Sequence, residues 1–319
     1  MESIYTIQWQ EDVIKRKYGD ICCIGVSHTD RTIFLGDSTH SIDFFDIDTR
    51  ELIHEISSAR SQPGDGHSGD VNAIALSNDN CFLATGSDDH YIKIWNVKSQ
   101  SKDLLGTLGG HTKAVYSLVY TLDDKKLISS GADGIINVWS TSELKSIHQI
   151  TYESAINSVA LIPDSEIFLT AGQDGRVVFW TSCLSRAGSF FAHSQEIMSA
   201  SVDLKGNFIA TGGKDGQIKI WQFHLTDVEN GMHPFLKHEI SIGNSVDAIS
   251  ISPEGNLVAS IDNAGNVYQH RLETGELVYK TNEKPAFGFN RTHAIKFSRN
   301  GRILVAGVKN NVRIWKQVI

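Results

Sequence analysis

The chain has 319 residues, 40% hydrophobic and 21% charged, an ordinary globular profile rather than a disordered one. A net charge of −8 argues against direct binding to a nucleic-acid backbone, which needs a basic footprint; the one tight basic cluster, Lys15-Arg16-Lys17, reads as a solvated loop. No apolar run approaches the ~20 residues of a membrane span, and Glu2 followed by strand-like alternation lacks the basic flank and apolar block of a secretory leader.

Short β-branched runs alternate with turn signals along the chain, which predicts an all-β fold. Ile4 to Trp9 reads as a strand with no sheet of its own. A first unit follows, from about Ile21 to Ile56. In the second, strands are predicted at Val71–Leu76, Cys81–Gly86, Tyr91–Val97 and Leu104–Leu108, with turns at Asn78-Asp79-Asn80 and Asp89-His90. The third repeats this with Val115–Tyr120, Lys126–Ser130, Ile135–Trp139 and Ser146–Thr151. Across these units one register recurs: His67, Thr85, Asp89 and Trp95 sit at offsets 0, 18, 22 and 28. His111, Ser129, Asp133 and Trp139 repeat those offsets, as do His193, Thr211, Asp215 and Trp221. Thr170, Asp174 and Trp180 keep the last three members, with Tyr152 in the histidine slot. A fixed register means one supersecondary unit copied along the chain, and four short strands per unit is the size of a propeller blade.

The runs Gly66-His67, Gly110-His111, Gly86 to Trp95, Gly131 to Trp139 and Gly213 to Trp221 closely resemble WD40 repeats, and the resemblance covers nearly the whole chain. Weaker units bring the count to seven. Phe45 and Thr39 stand in the Trp and Asp slots of the first, and His270 and Ala264 in those of the sixth; the seventh ends at Trp315. The expected units are about 20–56, 67–108, 111–151, 152–192, 193–242, 243–281 and 287–319, the last completed by 3–10. The expected fold is a single seven-bladed propeller closed by the N-terminal strand onto the last blade, which removes exposed sheet edges at the seam.

A hydroxyl, a histidine and an aspartate at fixed spacing also suggest a nucleophilic triad. Repetition argues for structure instead, since a catalytic site is built once. The donor inventory allows a closed chain from Trp indole to hydroxyl, hydroxyl to imidazole, and imidazole to carboxylate. The four cysteines (Cys22, Cys23, Cys81, Cys183) show neither a CxxC pair nor metal spacing and read as reduced core or strand residues. Gly64-Asp65-Gly66-His67-Ser68-Gly69 matches a dinucleotide pattern but precedes a strand rather than opening a helix. No cofactor or metal site is expected.

The WD40 resemblance implies peptide reading at the upper mouth of the channel, three and five residues after the histidine and one before the aspartate. On this chain those positions are Asp70, Asn72 and Asp88; Tyr116; Asn157 and Gln173; Glu196, Met198 and Lys214; and Asp247 and Asn263. Arg291 and His293 are their nearest matches in the seventh unit. The long connection Thr281–Thr292 adds Phe287 and Phe289, aromatics of the kind that anchor interfaces. The expectation is a non-catalytic protein–protein interaction scaffold, a subunit of a multiprotein complex in the cytoplasm or nucleus. The alternatives are an RNA- or ribosome-associated or signalling adaptor propeller, and an enzyme or ligand sensor at the channel mouth using Asp70, Asp88 and Asp247.

Overall fold

Val71, Ala73 and Ala75 are buried while Asn72, Ile74 and Leu76 are half-buried, the period-two pattern of a strand packed on both faces. That pattern recurs throughout the computed structural model, which describes residues 9–16, 19–57, 65–226, 233–281 and 293–317. The chain opens with β1 (Trp9–Lys15). Blade one is β2 (Ile21–Val26), β3 (Thr32–Asp37), β4 (Ile42–Asp46) and β5 (Leu52–Ile56). Blade two is β6 (Val71–Leu76), β7 (Phe82–Ser87), β8 (Tyr91–Asn96) and β9 (Leu104–Gly109). Blade three is β10 (Val115–Tyr120), β11 (Lys126–Gly131), β12 (Ile135–Ser140) and β13 (Lys145–Thr151). Blade four is β14 (Ile156–Leu161), β15 (Ile167–Gly172), β16 (Arg176–Thr181) and β17 (Arg186–Phe191). Blade five is β18 (Ile197–Val202), β19 (Phe208–Gly213), β20 (Gln217–Gln222) and β21 (Phe235–Ser241). Blade six is β22 (Val246–Ile251), β23 (Leu257–Asp262), β24 (Val267–Arg271) and β25 (Leu277–Lys280). Blade seven takes β26 (His293–Phe297), β27 (Ile303–Val308) and β28 (Asn311–Gln317) from the chain's end and β1 from its start, in the order β1-β28-β27-β26.

The ring is therefore closed by the N-terminal strand, in antiparallel register from Trp9↔Gln317 to Lys15↔Asn311. This strand begins where the expected one, 4–9, ends; residues 3–8 lie outside the described residues. Ile14 is the β1 side chain that reaches the core. The cysteines also differ in part from expectation: Cys23 is buried in β2, but Cys183 is exposed in the turn after β16.

The core is not one central mass. Each of seven apolar clusters bridges two neighbouring blades, so burial runs around the ring as a set of seams. Each repeat tryptophan packs toward the blade before it: Trp95 joins the cluster of Phe34 and Phe44, and Trp139 joins that of Ile92 and Ile94. Phe45 does the same between blades seven and one. Serines on the innermost strands stitch the seams where the channel prevents wider contact. Ser117, Ser158, Ser199 and Ser250 accept the backbone N–H of Val159, Ala200, Ile249 and Phe297 on the following blade.

Candidate functional site

The repeated polar residues meet as closed chains. His67 Nδ1 lies 2.8 Å from Asp89 Oδ2, and its Nε2 lies 2.8 Å from Thr85 Oγ1, which also accepts Trp95 Nε1–H at 2.9 Å. Since the indole can only donate, the hydroxyl donates to Nε2 and Nδ1–H donates to the carboxylate, which assigns the tautomer. In blade three the same contacts measure 3.1, 2.8 and 2.9 Å for His111–Asp133, His111–Ser129 and Trp139–Ser129. In blade five they measure 3.0, 2.8 and 3.0 Å for His193–Asp215, His193–Thr211 and Trp221–Thr211. Each aspartate also accepts backbone N–H groups from both sides: Ser68 and Tyr91 on Asp89, Thr112 and Ile135 on Asp133, Ser194 and Gln217 on Asp215. The carboxylate thus pins the loop before the innermost strand to the turn between the second and third. That turn needs a left-handed residue, supplied by Gly134 at φ 72° and, at greater steric cost, by His90 at φ 74°.

Burial alone would raise the Asp89 carboxyl, but the His67 hydrogen bond and charge, with the Ser68 and Tyr91 N–H donors, bring it down to about 2. Burial is likewise outweighed at Asp133 by His111 and by the Thr112 and Ile135 amides, which also bring it to about 2. Burial dominates at His193 and lowers it despite Asp215, so this imidazole is held neutral. The hydroxyls of Thr85, Ser129 and Thr211 are fully buried, with no path for a substrate carbonyl. The geometry suits fixing loops rather than acyl transfer.

The degenerate blades replace parts of this chain, in blade four at the position that spacing indicates and in the others away from it. In blade four Tyr152 O–H donates to Asp174 Oδ2 at 2.6 Å, while Trp180 Nε1–H keeps its bond to Thr170 Oγ1 at 2.8 Å. In blades one and six the carboxylate moves two residues upstream, to Asp37 and Asp262 at the ends of β3 and β23. Asp37 accepts the Thr39 and Ser41 N–H groups and the Thr39 hydroxyl at 2.8, 3.0 and 2.8 Å. Asp262 accepts Ala264 N–H, Asn266 N–H and Tyr268 O–H at 3.0, 2.8 and 3.0 Å. In blade seven Trp315 Nε1–H turns to Tyr279 Oη of blade six at 3.3 Å.

Arg16 is the clearest departure from the sequence reading. It is no solvated loop residue: its guanidinium pairs with Asp37 and, at 2.7 Å, with Asp43, and its side chain is only 6% exposed. Nothing in the repeat register points to it, because the pair joins the chain's first described strand to the first blade.

Asn72, Tyr116, Asn157, Met198 and Asp247 converge at the upper end of the central channel, where a cavity of about 350 Å³ opens. Cys22 completes this ring in blade one, a position hidden from the sequence because that blade lacks the histidine from which one counts. Asn157 is buried and commits its amide to Ile197 O at 2.8 Å. Asn72 Nδ2–H donates to Asp88 Oδ1 at 2.6 Å, and His40 Nε2 lies 3.8 Å from Asp70 Oδ1. Burial and the Asp88 charge raise the Asp70 carboxyl above its ordinary range. Lys214 stands 3.8 Å from Glu196. Gln173 and Asn263 are exposed on the outer turns. Phe287, Phe289 and Arg291 lie outside the described residues; His293 opens β26, and nothing is described of its side chain. Among the described residues no group of His, Cys, Asp or Glu has the geometry to hold a metal, and no helix is long and apolar enough to cross a membrane.

Seven radial four-stranded sheets with tryptophan-anchored His–Asp networks define a WD40-repeat propeller. Residues 184–222 match the WD domain, G-beta repeat, family. Residues 8–199 match the family described as nucleolar protein 10-like, N-terminal domain, and the chain belongs to that family. Among curated relatives, periodic tryptophan protein 2 of Arabidopsis thaliana is 35% identical over 30% of this chain, and striatin-3 of Homo sapiens is 36% identical over 24% of it. These matches cover 10% and 11% of those proteins' lengths. Among solved structures, that of U3-55K superposes with a TM-score of 0.80, at 23% identity over 96% of this chain and 98% of the other. The RRP9 WD40 repeats give 0.81, at 23% identity over 98% and 100%. At that identity the likeness is one of fold.

Proposed function

We propose that this chain is a non-catalytic scaffold, a propeller subunit of a nucleolar multiprotein assembly that binds a protein segment at the upper mouth of its channel. The observation that carries the reading is the contrast between two kinds of polar residue. Those with triad-like spacing are buried and mutually satisfied, whereas the upper ring leaves Tyr116 and Met198 partly open beside Asp70, Asp88 and Glu196. An acidic rim around an apolar spot suits a peptide with a basic anchor. Membership of a family named for a nucleolar protein supports the nucleus over the cytoplasm. A direct RNA-binding role has less support, since the net charge is −8 and Lys214, on this face, stands beside Glu196.

The test is affinity purification from nuclear extract with the Tyr116→Ala, Asp88→Lys double variant. Loss of the principal partner with an unchanged melting temperature is expected. Retained capture would move the site off this mouth.

A further inference from the structure

The channel's lower mouth is built asymmetrically. Its rim takes one residue from each first turn of the seven blades. Blades three to six supply Leu122, Pro163, Leu204 and Pro253 in unbroken sequence, and Leu122 and Leu204 are 48% and 52% exposed. Blades seven, one and two supply Arg299, His28 and Asn78; Arg299 Nη1–H donates to Asn78 Oδ1 at 3.3 Å, and His28 Nδ1 lies 3.1 Å from Asn78 O and 3.2 Å from Arg299 Nη1, of which it can bond one at a time. Four of the seven rim residues are apolar and three are polar, Arg299 being the cation among them.

Above the rim, Lys296 extends into the channel, where it lines both the upper and the lower cavity. At its register position the other blades carry Gly25, Ala75, Val119, Ala160, Ser201 and Ser250, so no charge faces it at that level. The two serines are already engaged, accepting N–H groups of Ile251 and Phe297. The channel walls lower Lys296 below the ordinary lysine range, although the residue itself stays exposed to the solvent of the channel. Burial lowers His28, and Arg299 and Lys296 lower it further against the Asn78 carbonyl and Asp124, which raise it; both cations line the one lower cavity.

We infer that the lower mouth receives the carboxyl-terminal end of a partner chain, its last apolar side chain against Leu122, Pro163, Leu204 and Pro253 and its carboxylate at Lys296 and Arg299. Two cations facing one opening favour an anion, and a neighbouring apolar arc favours one attached to an apolar group. The lower cavity, about 310 Å³, lies at the small end of the ligand-site range. It has room for a chain end. Nucleic acid fits poorly, because exposed Asp79, Asp123, Asp164 and Glu254 directly follow four of the rim residues and repel a polyanion. This site opens on the face opposite the upper mouth and shares Lys296 with the cavity there.

Fluorescence anisotropy of the full chain with labelled Gly-Gly-Ser-Gly-Phe-Leu tests the inference. The free acid is expected to bind about tenfold more tightly than its carboxamide, the worth of one charge-assisted contact. Lys296→Met, or Arg299→Gln should the former fail to fold, brings that ratio toward unity. Leu204→Asp weakens both peptides. Equal binding of acid and amide by the unmodified protein overturns the inference. So does tighter binding of an amidated peptide with an internal aspartate, which would assign the mouth to acidic side chains.

Discussion

Arg16 and Asp43 form an ion pair at 2.7 Å although the first follows the strand that completes blade seven and the second lies in blade one. With Asp37 as the other acceptor, this guanidinium bridges the seam where the two ends of the chain meet. Strand pairing alone joins β1 to β28; Arg16 ties the same segment to the next blade. Both carboxylates are largely buried, with 1% and 10% of their side chains exposed, so each would be costly without its cation.

Arg16→Met should therefore destabilise the fold by about 3–5 kcal/mol, the usual cost of orphaning a buried charge. Adding Asp43→Asn should recover part of that loss, since one unpaired charge is removed. Urea unfolding of the single and double variants measures both, and equal stability of Arg16→Met and the parent would reject the seam-bridging role.

Asp89→Ala should cost about 1–3 kcal/mol by leaving His67 Nδ1–H and two backbone N–H groups unsatisfied. The acid dependence follows from the same contacts. Asp89 titrates at about 2 when folded against 3.8 when free, so its contribution is complete above about pH 4 and is lost as pH falls toward 2. Melting temperatures of parent and variant should converge across that window.

Tyr152→Phe removes the 2.6 Å hydrogen bond to Asp174 and should lower stability by about 1 kcal/mol. Tyr152→His should restore the network, because Thr170 and Asp174 stand at the register positions of Thr85 and Asp89. Calorimetry ranking the histidine variant below the phenylalanine variant would exclude Tyr152 as a substitute for the repeat histidine.

His270 fills a tryptophan slot without its chemistry. Among the described residues its Nδ1 and the Ser260 hydroxyl have no hydrogen-bond partner, and burial lowers the imidazole from 6.5 to about 4. The unfolded chain binds the proton more readily. Stability from neutral His270 is thus complete above about pH 6.5 and is lost toward pH 4, on the order of 3 kcal/mol. His270→Trp should flatten this slope and give Ser260 a donor. An identical pH slope in the variant would assign the acid sensitivity elsewhere.

Blades two, three and five were legible because their hydrogen-bonded residues recur at fixed spacing, and a repeated contact leaves a repeated pattern. Blades one, six and seven were legible only as units. Their carboxylates at Asp37 and Asp262 left the register, and Trp315 took its acceptor from the neighbouring blade. On the upper face, counting from the histidine found Asn72, Tyr116 and Met198, but could not show that Asn157 is consumed by Ile197 O.

Local periodicity and repeat spacing were enough to determine the strands, the number of blades and the residues of the three intact networks, because those depend on contacts within one unit. Tertiary structure alone decided that the closing strand runs on to Lys15, that Arg16 is buried, and that Lys296, Leu122 and Leu204 share one channel mouth. These relationships join residues from different blades, and a closed ring sets such distances by geometry rather than by separation along the chain.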